Sequence, residues 1–288
     1  ASFQDTVAFA SSYWTVAATA YKTVQAIETD TASNLQSPDD GGDYIIITHQ
    51  TFAAQAAQLA AFRGAQGLRV VQADVQDVYD EFGYGIAGAS AIREFLAYAY
   101  ASWPGDSPQY VVLIGDGHYD PKNYAYGRTS FITPYLAPVD PWIGETAADN
   151  RLVAFVGSDT MPDMMLGRLA VNDVPEASAF VNKIMAYEQS PAPGEWQQQV
   201  LAVADNTDSA GNFAAMSDSL LADSLPLQIT PTKVYYTVTH PTAAGAKAAI
   251  LAAINAGKLI VNYIGHAYTQ AWASEDLFTA NDVASLTN

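Results

Sequence analysis

YIIITHQTFAAQAAQLAAFRGAQGLRVVQADV, residues 44–75, is the segment from which the fold class of this chain is predicted most directly. Its first five residues form a continuous apolar and largely β-branched run, which is typical of a strand buried on both faces of a sheet. Residues 52–66 are rich in alanine and predict a helix that Gly67 ends, and residues 68–75 predict a second strand. A strand, a helix and a strand in this order predict a parallel pair joined by a right-handed crossover.

The same alternation of strands and helices continues along most of the chain. Further strands are predicted at residues 110–115, 164–170, 200–205, 233–238 and 259–264. Helices are predicted at residues 89–102, 177–187, 213–222, 242–256 and 282–286. We therefore predict an α/β fold with two successive parallel-sheet units. The predicted parts are an N-terminal helical segment and linker at residues 1–42, a first α/β subdomain at 43–150 and a second at 151–288.

The composition narrows the range of functions. Twelve basic and thirty acidic residues give a formal net charge of −18, and such a surface repels nucleic acids and anionic membranes. No apolar run approaches the roughly 20 residues that a membrane span requires. The chain contains no cysteine, which excludes disulfides, thiolate metal sites and a cysteine nucleophile within residues 1–288. The sequence gives no indication of an oligomeric state.

The loop GDGHYDPKNY, residues 115–124, directly follows a predicted strand. Ligands of parallel sheets gather beyond the carboxyl ends of the strands, so this loop is a candidate site. Asp116, Asp120 and Asn123 offer the oxygen ligands that a calcium ion takes. The same side chains also suit turns, where they accept hydrogen bonds from backbone N–H groups. Turn chemistry is the favoured interpretation, and a calcium site is the alternative.

The predicted strand at residues 164–170 contains a basic residue within an apolar segment. Arg168 follows Asp163 by five positions in the run DMMLGRLA. A cation in such a segment is expected to pair with a carboxylate. Arg168 is therefore interpreted as a structural anchor rather than as a catalytic group.

Two later strand ends carry groups suited to acid–base chemistry. The strand VLAVAD ends at Asp205, and Asp208 follows shortly after. A carboxylate at this place can orient a histidine on a neighbouring strand, or it can cap the helix predicted at residues 213–222. The strand LIVNYI is followed by Gly265 and His266. A histidine just past an apolar strand lies where general bases lie, although a lone histidine is more often structural.

The run VNYIGHAYTQAW, residues 261–272, resembles the catalytic-histidine region of the gingipain family of cysteine peptidases, peptidase family C25. Other segments resemble that family in the same order, among them residues 44–75, YVVLIGDGHYDPKNY at 110–124, DMMLGRLAV at 163–171 and VLAVAD at 200–205. The resemblance covers roughly residues 44–288. It implies a caspase-like α/β fold in two subdomains.

The resemblance also implies roles for individual residues. His266 matches the catalytic histidine, which assists thiolate formation and protonates the leaving amine. Asp205 is the first match to the family's supporting acid and Asp208 is the second. The backbone N–H of Ala267 takes the place of an oxyanion donor, although the family usually has glycine there. The cysteine of the family follows one further strand, so we expect it beyond residue 288 and expect residues 1–288 alone to be inactive.

Two functions are consistent with these features. In the first, the chain is a portion of a gingipain-like cysteine endopeptidase catalytic domain, which acts on proteins or peptides and is extracellular or on the surface of a bacterial cell. In the second, it is a non-catalytic surface module, for binding or for structure, that keeps a caspase-like fold. Neither function requires a cofactor, and bound calcium is compatible with both.

Overall fold

A computed structural model describes residues 31–37, 41–125, 127–141, 144–226 and 228–287, together with positions 16, 17, 19, 27 and 29. Most of the helical segment predicted before residue 36 lies outside the described residues. The chain divides into two compact units, Ala1–Gln189 and Ser190–Asn288. In the described part of the chain, no helix is both long enough and apolar enough to cross a bilayer.

The first unit is built around a parallel sheet. Its strands are β1 (Tyr44–Thr48), β2 (Val70–Asp74), β3 (Tyr110–Ile114), β4 (Leu136–Asp140), β5 (Gly144–Ala147) and β6 (Met165–Leu169). Its helices are α1 (Ala53–Ala65), α2 (Val75–Gly83), α3 (Ala89–Ser102) and α4 (Val174–Gln189). The four parallel strands lie in the order β2-β1-β3-β6, and β4 and β5 form a separate antiparallel pair.

The central strand β1 explains why this sheet is covered on both faces. Successive side chains of a strand point to opposite faces. Ile45 and Ile47 pack in one core together with residues of α2 and α3, whereas Ile46 packs in a second core with residues of α1 and α4. All three isoleucines have no exposed surface. The apolar run of β1 therefore matches a strand with helices on both sides, as the sequence predicts.

Strand β6 corrects the predicted domain boundary. The sequence predicts that residues 164–170 belong to a second subdomain that starts at residue 151. In the structure Met165–Leu169 pairs with β3, with Gly167 opposite Val112, and the boundary between the compact units falls after Gln189. The choice of partner strand depends on contacts between distant parts of the chain, which local pattern does not encode.

The second unit contains a smaller parallel sheet. Its strands are β7 (Gln199–Ala204), β8 (Thr230–Tyr235) and β9 (Ile260–Ile264), in the order β8-β7-β9. Its helices are α5 (Phe213–Ser224) and α6 (Ala243–Asn255). Three short antiparallel strands follow: β10 (Ala267–Tyr268), β11 (Ala271–Trp272) and β12 (Phe278–Thr279). The predicted α/β class is confirmed, and the helix predicted at 282–286 is a 3₁₀ turn at Ala280–Ser285.

Strand β7 is buried on both faces in the same way as β1. Leu201 and Val203 pack in a core with residues of α6, whereas Ala202 and Ala204 pack in another core with residues of α5. Helix α5 begins after Asn212, whose side chain accepts a hydrogen bond from the Ala215 N–H at 3.0 Å. The two helices thus hold β7 in place and fix the positions of the residues that follow it.

Candidate active site

The carboxyl end of the second sheet brings two predicted site residues together. The chain passes from β7 to β8 on one side and then to β9 on the other side of β7. The connections that leave β7 and lead to β9 thus lie on opposite sides of β7, which makes the gap between these two strands a topological switch point. Parallel sheets form their ligand crevice at such a point. Ala204 is opposite Ile264 in the register. Asp205 and His266, which follow these strand ends, consequently meet at the switch point.

Asp205 holds the backbone of His266 rather than its imidazole. Its carboxylate accepts hydrogen bonds from the N–H of Asn206 at 2.8 Å and from the N–H of His266 at 3.2 Å. The residue is 3 % exposed, and its own N–H donates to the Ile264 carbonyl at 3.1 Å. Buried carboxylates need such donors, because an unpaired buried charge is costly. Asp205 therefore joins the ends of β7 and β9.

Asp208, the second match to the supporting acid, contacts the imidazole directly. Its Oδ2 lies 2.8 Å from Nε2 of His266. The Ala210 N–H above all, and then the imidazole, hold the pKa of the Asp208 carboxyl below its ordinary value. Because an ionised carboxylate only accepts hydrogen bonds, Nε2 carries the proton in the neutral imidazole. The lone pair then lies on Nδ1.

The imidazole of His266 is also in contact with a helix. The ring of Phe213, the first residue of α5, meets it edge-on with 5.3 Å between centroids and 83° between planes. The His266 side chain is 56 % exposed, so the ring is accessible to a reactant from solvent. The alternative that Asp205 or Asp208 caps this helix is not what the structure has, because Asn212 is the N-cap.

The carbonyl group of His266 is held from two sides. It accepts a hydrogen bond from the Tyr263 hydroxyl at 2.6 Å and one from the Ala273 N–H at 2.7 Å. Gly265, just before the histidine, leaves the space that this arrangement needs. A Cβ built on it would lie 2.4 Å from Cβ of Asp205 and 2.5 Å from the Tyr263 hydroxyl. No larger residue fits at position 265 unless the neighbours move.

The N–H of Ala267 points away from its hairpin partner. Ala267 is opposite Trp272 in the antiparallel register of β10 and β11. The bond from the Ala273 N–H to the His266 carbonyl makes the preceding pair a hydrogen-bonded one. Bonded and non-bonded pairs alternate along an antiparallel ladder, so Ala267 and Trp272 form a non-bonded pair. The Ala267 N–H is therefore directed to the outer side of β10.

The switch point of the first unit is covered by an aromatic side chain. It lies between β1 and β3, where Phe131 packs 5.2 Å from the ring of His49 and 4.9 Å from that of Phe52. Gly115 adopts a φ of 145°, and a Cβ on it would lie 2.8 Å from Cβ of Phe131. The glycine after β3 thus serves close packing over the strand end.

The loop at residues 115–124 shows turn chemistry. Asp116 accepts a hydrogen bond from the N–H of Gly117, Asp120 one from that of Ala125, and Asn123 one from that of Arg128, at 2.8, 2.8 and 2.9 Å. Within the described parts of the chain, no three His, Cys, Asp or Glu side chains are grouped as ligands of a metal ion. A calcium ion bound by Asp116, Asp120 and Asn123 stays a prediction.

Arg168 forms an ion pair in the first unit. Its guanidinium donates to both carboxylate oxygens of Asp149, at 2.7 and 3.2 Å, and to the carbonyls of Gly115 and Ile132. Asp163 accepts from backbone N–H groups instead. Arg168 thus ties β6 to the segments around it. Sequence spacing did not reveal Asp149, since it lies in a segment without periodicity.

Together, the parallel sheet and the His266–Asp208 pair define an α/β protein whose switch point carries an imidazole oriented by a carboxylate. Residues 37–288 match the sequence pattern of peptidase family C25. The chain therefore belongs to peptidase family C25, and the predicted relationship is confirmed. Because that family consists of cysteine peptidases and the chain has no cysteine, residues 1–288 lack the nucleophile of the family.

Two similar proteins are gingipains. The chain is 23 % identical over 257 residues to gingipain R2 and 24 % identical over 255 residues to gingipain R1, both from Porphyromonas gingivalis. These alignments cover 86 % of this chain but 31 % and 22 % of the two relatives. The chain thus spans about a third or less of the length of these relatives.

Two solved structures share the fold. The crystal structure of the Arg-specific cysteine proteinase gingipain R has a TM-score of 0.66 and 20 % identity, and the match covers 90 % of this chain and 54 % of that one. The complex of the pro- and mature domains of RgpB from Porphyromonas gingivalis has a TM-score of 0.64 and 21 % identity, with 86 % and 53 % covered. At these identities the likeness concerns the fold.

Proposed function

We propose that residues 1–288 are the histidine-bearing part of a cysteine endopeptidase catalytic domain whose nucleophile lies beyond residue 288. The observation that carries this proposal is the position of the His266 imidazole at the switch point. Its Nε2 lies 2.8 Å from Oδ2 of Asp208, and its ring is exposed to solvent. An imidazole held in this way presents the Nδ1 lone pair to a partner. That arrangement suits a general base for a thiol.

In the proposed reaction, Nδ1 of His266 takes the proton from the cysteine thiol. The thiolate attacks the carbonyl carbon of the scissile peptide bond, and the protonated imidazole then gives its proton to the leaving amine as the C–N bond breaks. Water hydrolyses the resulting thioester and restores the thiol. Asp208 keeps the proton of the neutral ring on Nε2, and Asp205 holds the backbone. The supporting acid of this proposal is therefore Asp208, with Asp205 as a structural partner.

The backbone N–H of Ala267 is the proposed oxyanion donor. It is directed to the outer side of β10, as the register of the β10–β11 hairpin requires. Ala267 is not among the described non-glycine residues with a positive φ, so its methyl group fits the turn without backbone strain. The alanine in place of the usual glycine is thus compatible with this role.

The outer edge of β9 supports the expectation of a further strand. Among the described residues, no strand pairs with that edge. Ile260 is 51 % exposed, and the neighbouring Leu259 and Val261 are exposed as well. Apolar side chains on an open strand edge favour the addition of another strand. We propose that the strand with the cysteine pairs there and ends beside His266.

The test is a full-length protein and its variants, assayed on a mixture of peptides. We expect cleavage by the parent chain, none by a variant with alanine at the cysteine, and a kcat lowered by about 10²–10⁴-fold in His266→Gln. A gene that continues with Ser, Ala or Gly at the end of the next strand would contradict the proposal. Inactivity of a folded full-length protein would favour the non-catalytic surface module instead.

We also propose that the parent protein works outside the cell or on the surface of a bacterium, on proteins or peptides. The formal net charge of −18 carried by residues 1–288 suits neither nucleic acids nor anionic membranes as partners. Detection of the parent in culture medium or in a surface-protease digest of whole cells supports this location. Recovery in the cytosolic fraction alone contradicts it.

Calcium binding in the 115–124 loop is a separate proposal. A carboxylate oxygen can accept more than one bond, so Asp116 and Asp120 can bind backbone and metal together. Melting with calcium at a hundred times Kd is expected to show about 2.7 kcal/mol of added stability over melting with a chelator. A midpoint that is the same in both solutions contradicts it.

A further inference from the structure

His266 lies in a solvent-exposed place, which raises the question of what fixes its ring. The side chains of His266 and Asp208 are 56 % and 36 % exposed. Exposed charge pairs contribute about 0–1 kcal/mol, because solvent competes with them and two side chains lose freedom. The contact with Asp208 alone therefore orients the imidazole weakly. A stronger constraint has to come from the backbone of His266.

The backbone of His266 is fully hydrogen-bonded. Its N–H donates to Asp205, and its carbonyl accepts from the Tyr263 hydroxyl and from the Ala273 N–H. A carbonyl oxygen has two lone pairs, and both are used here. With both polar groups held, the direction of the Cα–Cβ bond of His266 is fixed. The ring then has only its own two side-chain torsions left.

The Tyr263 hydroxyl is itself held in place by an aromatic stack. The ring of Tyr263 lies parallel to that of Trp272, with 4.8 Å between centroids and 3° between planes. Trp272 in turn packs on Phe278 at 5.0 Å. These rings pack against the buried core that contains Ala273 and α6. A tyrosine ring fixed on such a stack places its hydroxyl with little freedom.

The hydroxyl of Tyr263 donates to the His266 carbonyl, and the glycine at position 265 leaves the space that this contact needs. Burial, followed by the negative charge of Asp205, raises the pKa of Tyr263 above its ordinary value, so the hydroxyl keeps its proton. Gly265 gives the hydroxyl access to the His266 carbonyl, because a Cβ at position 265 would lie 2.5 Å from it.

From this geometry we infer that Tyr263 is a positioning residue for His266: its hydroxyl, held by the stack on Trp272, fixes the His266 carbonyl and thereby directs the imidazole to Asp208 and Phe213. The relevance of this role to catalysis rests on the proposed function of His266. The role itself can be measured in residues 1–288 without any nucleophile. Its test is therefore independent of whether the parent protein cleaves peptides.

The experiment is NMR of residues 1–288 labelled with ¹³C in the histidine rings. In the wild type, the edge-on ring of Phe213 displaces the chemical shifts of the His266 ring protons from those of a free histidine. The Phe213→Leu variant lacks this aromatic ring and therefore shows how much of the displacement comes from Phe213. In Tyr263→Phe, which keeps the stack and removes the hydroxyl, we expect the displacement to be largely lost. An unchanged displacement in folded Tyr263→Phe overturns the inference.

The matched control is Tyr235→Phe. Tyr235 lies at the end of a strand of the same sheet, as Tyr263 does, and it is buried where Tyr263 is partly buried; its hydroxyl donates to Asp218 at 2.8 Å. This variant removes a comparable hydrogen bond from the unit, so the His266 signals should stay as in the wild type. If Tyr235→Phe moves them as much as Tyr263→Phe does, the effect is general loosening and the inference fails.

A second variant keeps the test decisive if Tyr263→Phe does not fold. Trp272→Leu leaves the Tyr263 hydroxyl but removes the aromatic surface that holds the ring. We expect a partial loss of the displacement in Trp272→Leu and its recovery in Trp272→Phe, which restores a stacking partner. Equal displacement in both variants contradicts the role of the stack.

Discussion

Replacement of Gly265 by alanine is the sharpest perturbation that the structure offers. The new Cβ would lie 2.4 Å from Cβ of Asp205 and 2.5 Å from the Tyr263 hydroxyl. Neither neighbour is the free end of a flexible side chain. Asp205 is 3 % exposed and follows a buried strand, and Tyr263 is stacked on Trp272. The backbone around His266 must therefore move.

The expected cost follows from what that movement breaks. Overpacking of a filled site costs about 1–3 kcal/mol. Loss of the bond from the His266 N–H to the charged Asp205 adds about 1.5–3 kcal/mol, and loss of the bond from Tyr263 to the His266 carbonyl adds about 0.5–1.5 kcal/mol. Even the low ends of these ranges predict that Gly265→Ala destabilises the second unit by about 3 kcal/mol.

Amide hydrogen exchange followed by mass spectrometry measures this effect for each unit. A loss of about 3 kcal/mol speeds exchange in the core peptides of β7 and β9 by roughly two orders of magnitude, while peptides of β1 and β3 keep their protection. Gly64→Ala is the control, since Gly64 lies inside α1 with nothing within 4 Å of an added Cβ. It should stabilise the first unit by about 0.5–1 kcal/mol. If the protection of β7 in Gly265→Ala stays within about 0.5 kcal/mol of the wild type, the site accommodates the added methyl group and this prediction is wrong.

Three further predictions concern stability. Tyr84 ends α2 with a φ of 54° and is 97 % exposed, so Tyr84→Gly should raise stability by about 0.5–1 kcal/mol, and a lower melting temperature contradicts this. Burial raises the pKa of Tyr235 to about 12, whereas an unfolded tyrosine ionises near 10. The free energy of unfolding therefore falls as pH rises from about 10 to about 12. Tyr235→Phe lacks this contribution, so its urea midpoint should fall less steeply with pH over that range. Asp149→Ala leaves the guanidinium of Arg168 without its carboxylate and should cost about 3–5 kcal/mol in urea unfolding, and adding Arg168→Met should restore most of it.

Much of the fold follows from local sequence because its central strands are continuous apolar runs. The run YIIIT predicts β1 with the observed ends, and helix α3 also begins and ends at the predicted residues. Helix α2 was missed because it starts directly after β2 without a breaker, although Val75, Val78 and Tyr79 have helical spacing and are buried. The β4–β5 hairpin lies in a segment without periodicity, and its pairing has no local signal.

The site was predictable only in part. A glycine and a histidine after an apolar strand predicted His266 as a strand-end residue, and in the structure it lies directly beyond β9. The family resemblance favoured Asp205 over Asp208 as the match to the supporting acid. In the structure it is Asp208 that contacts the imidazole, because the turn from Asp208 to Gly211 places its carboxylate beside the ring. Phe213 reaches the ring only through the packing of its helix, which spacing along the chain does not reveal.

The open edge of β9 has a consequence for the colloidal behaviour of these 288 residues. This edge, which no strand among the described residues covers and at which Ile260 is exposed, is a template on which another β-strand can add, including that of a second copy. The net charge of −18 opposes this association, because two copies repel each other over about a Debye length. The balance therefore depends on ionic strength: salt shortens the range of the repulsion and leaves the apolar attraction in place. Low-salt buffer is the condition in which the acidic surface best protects this edge.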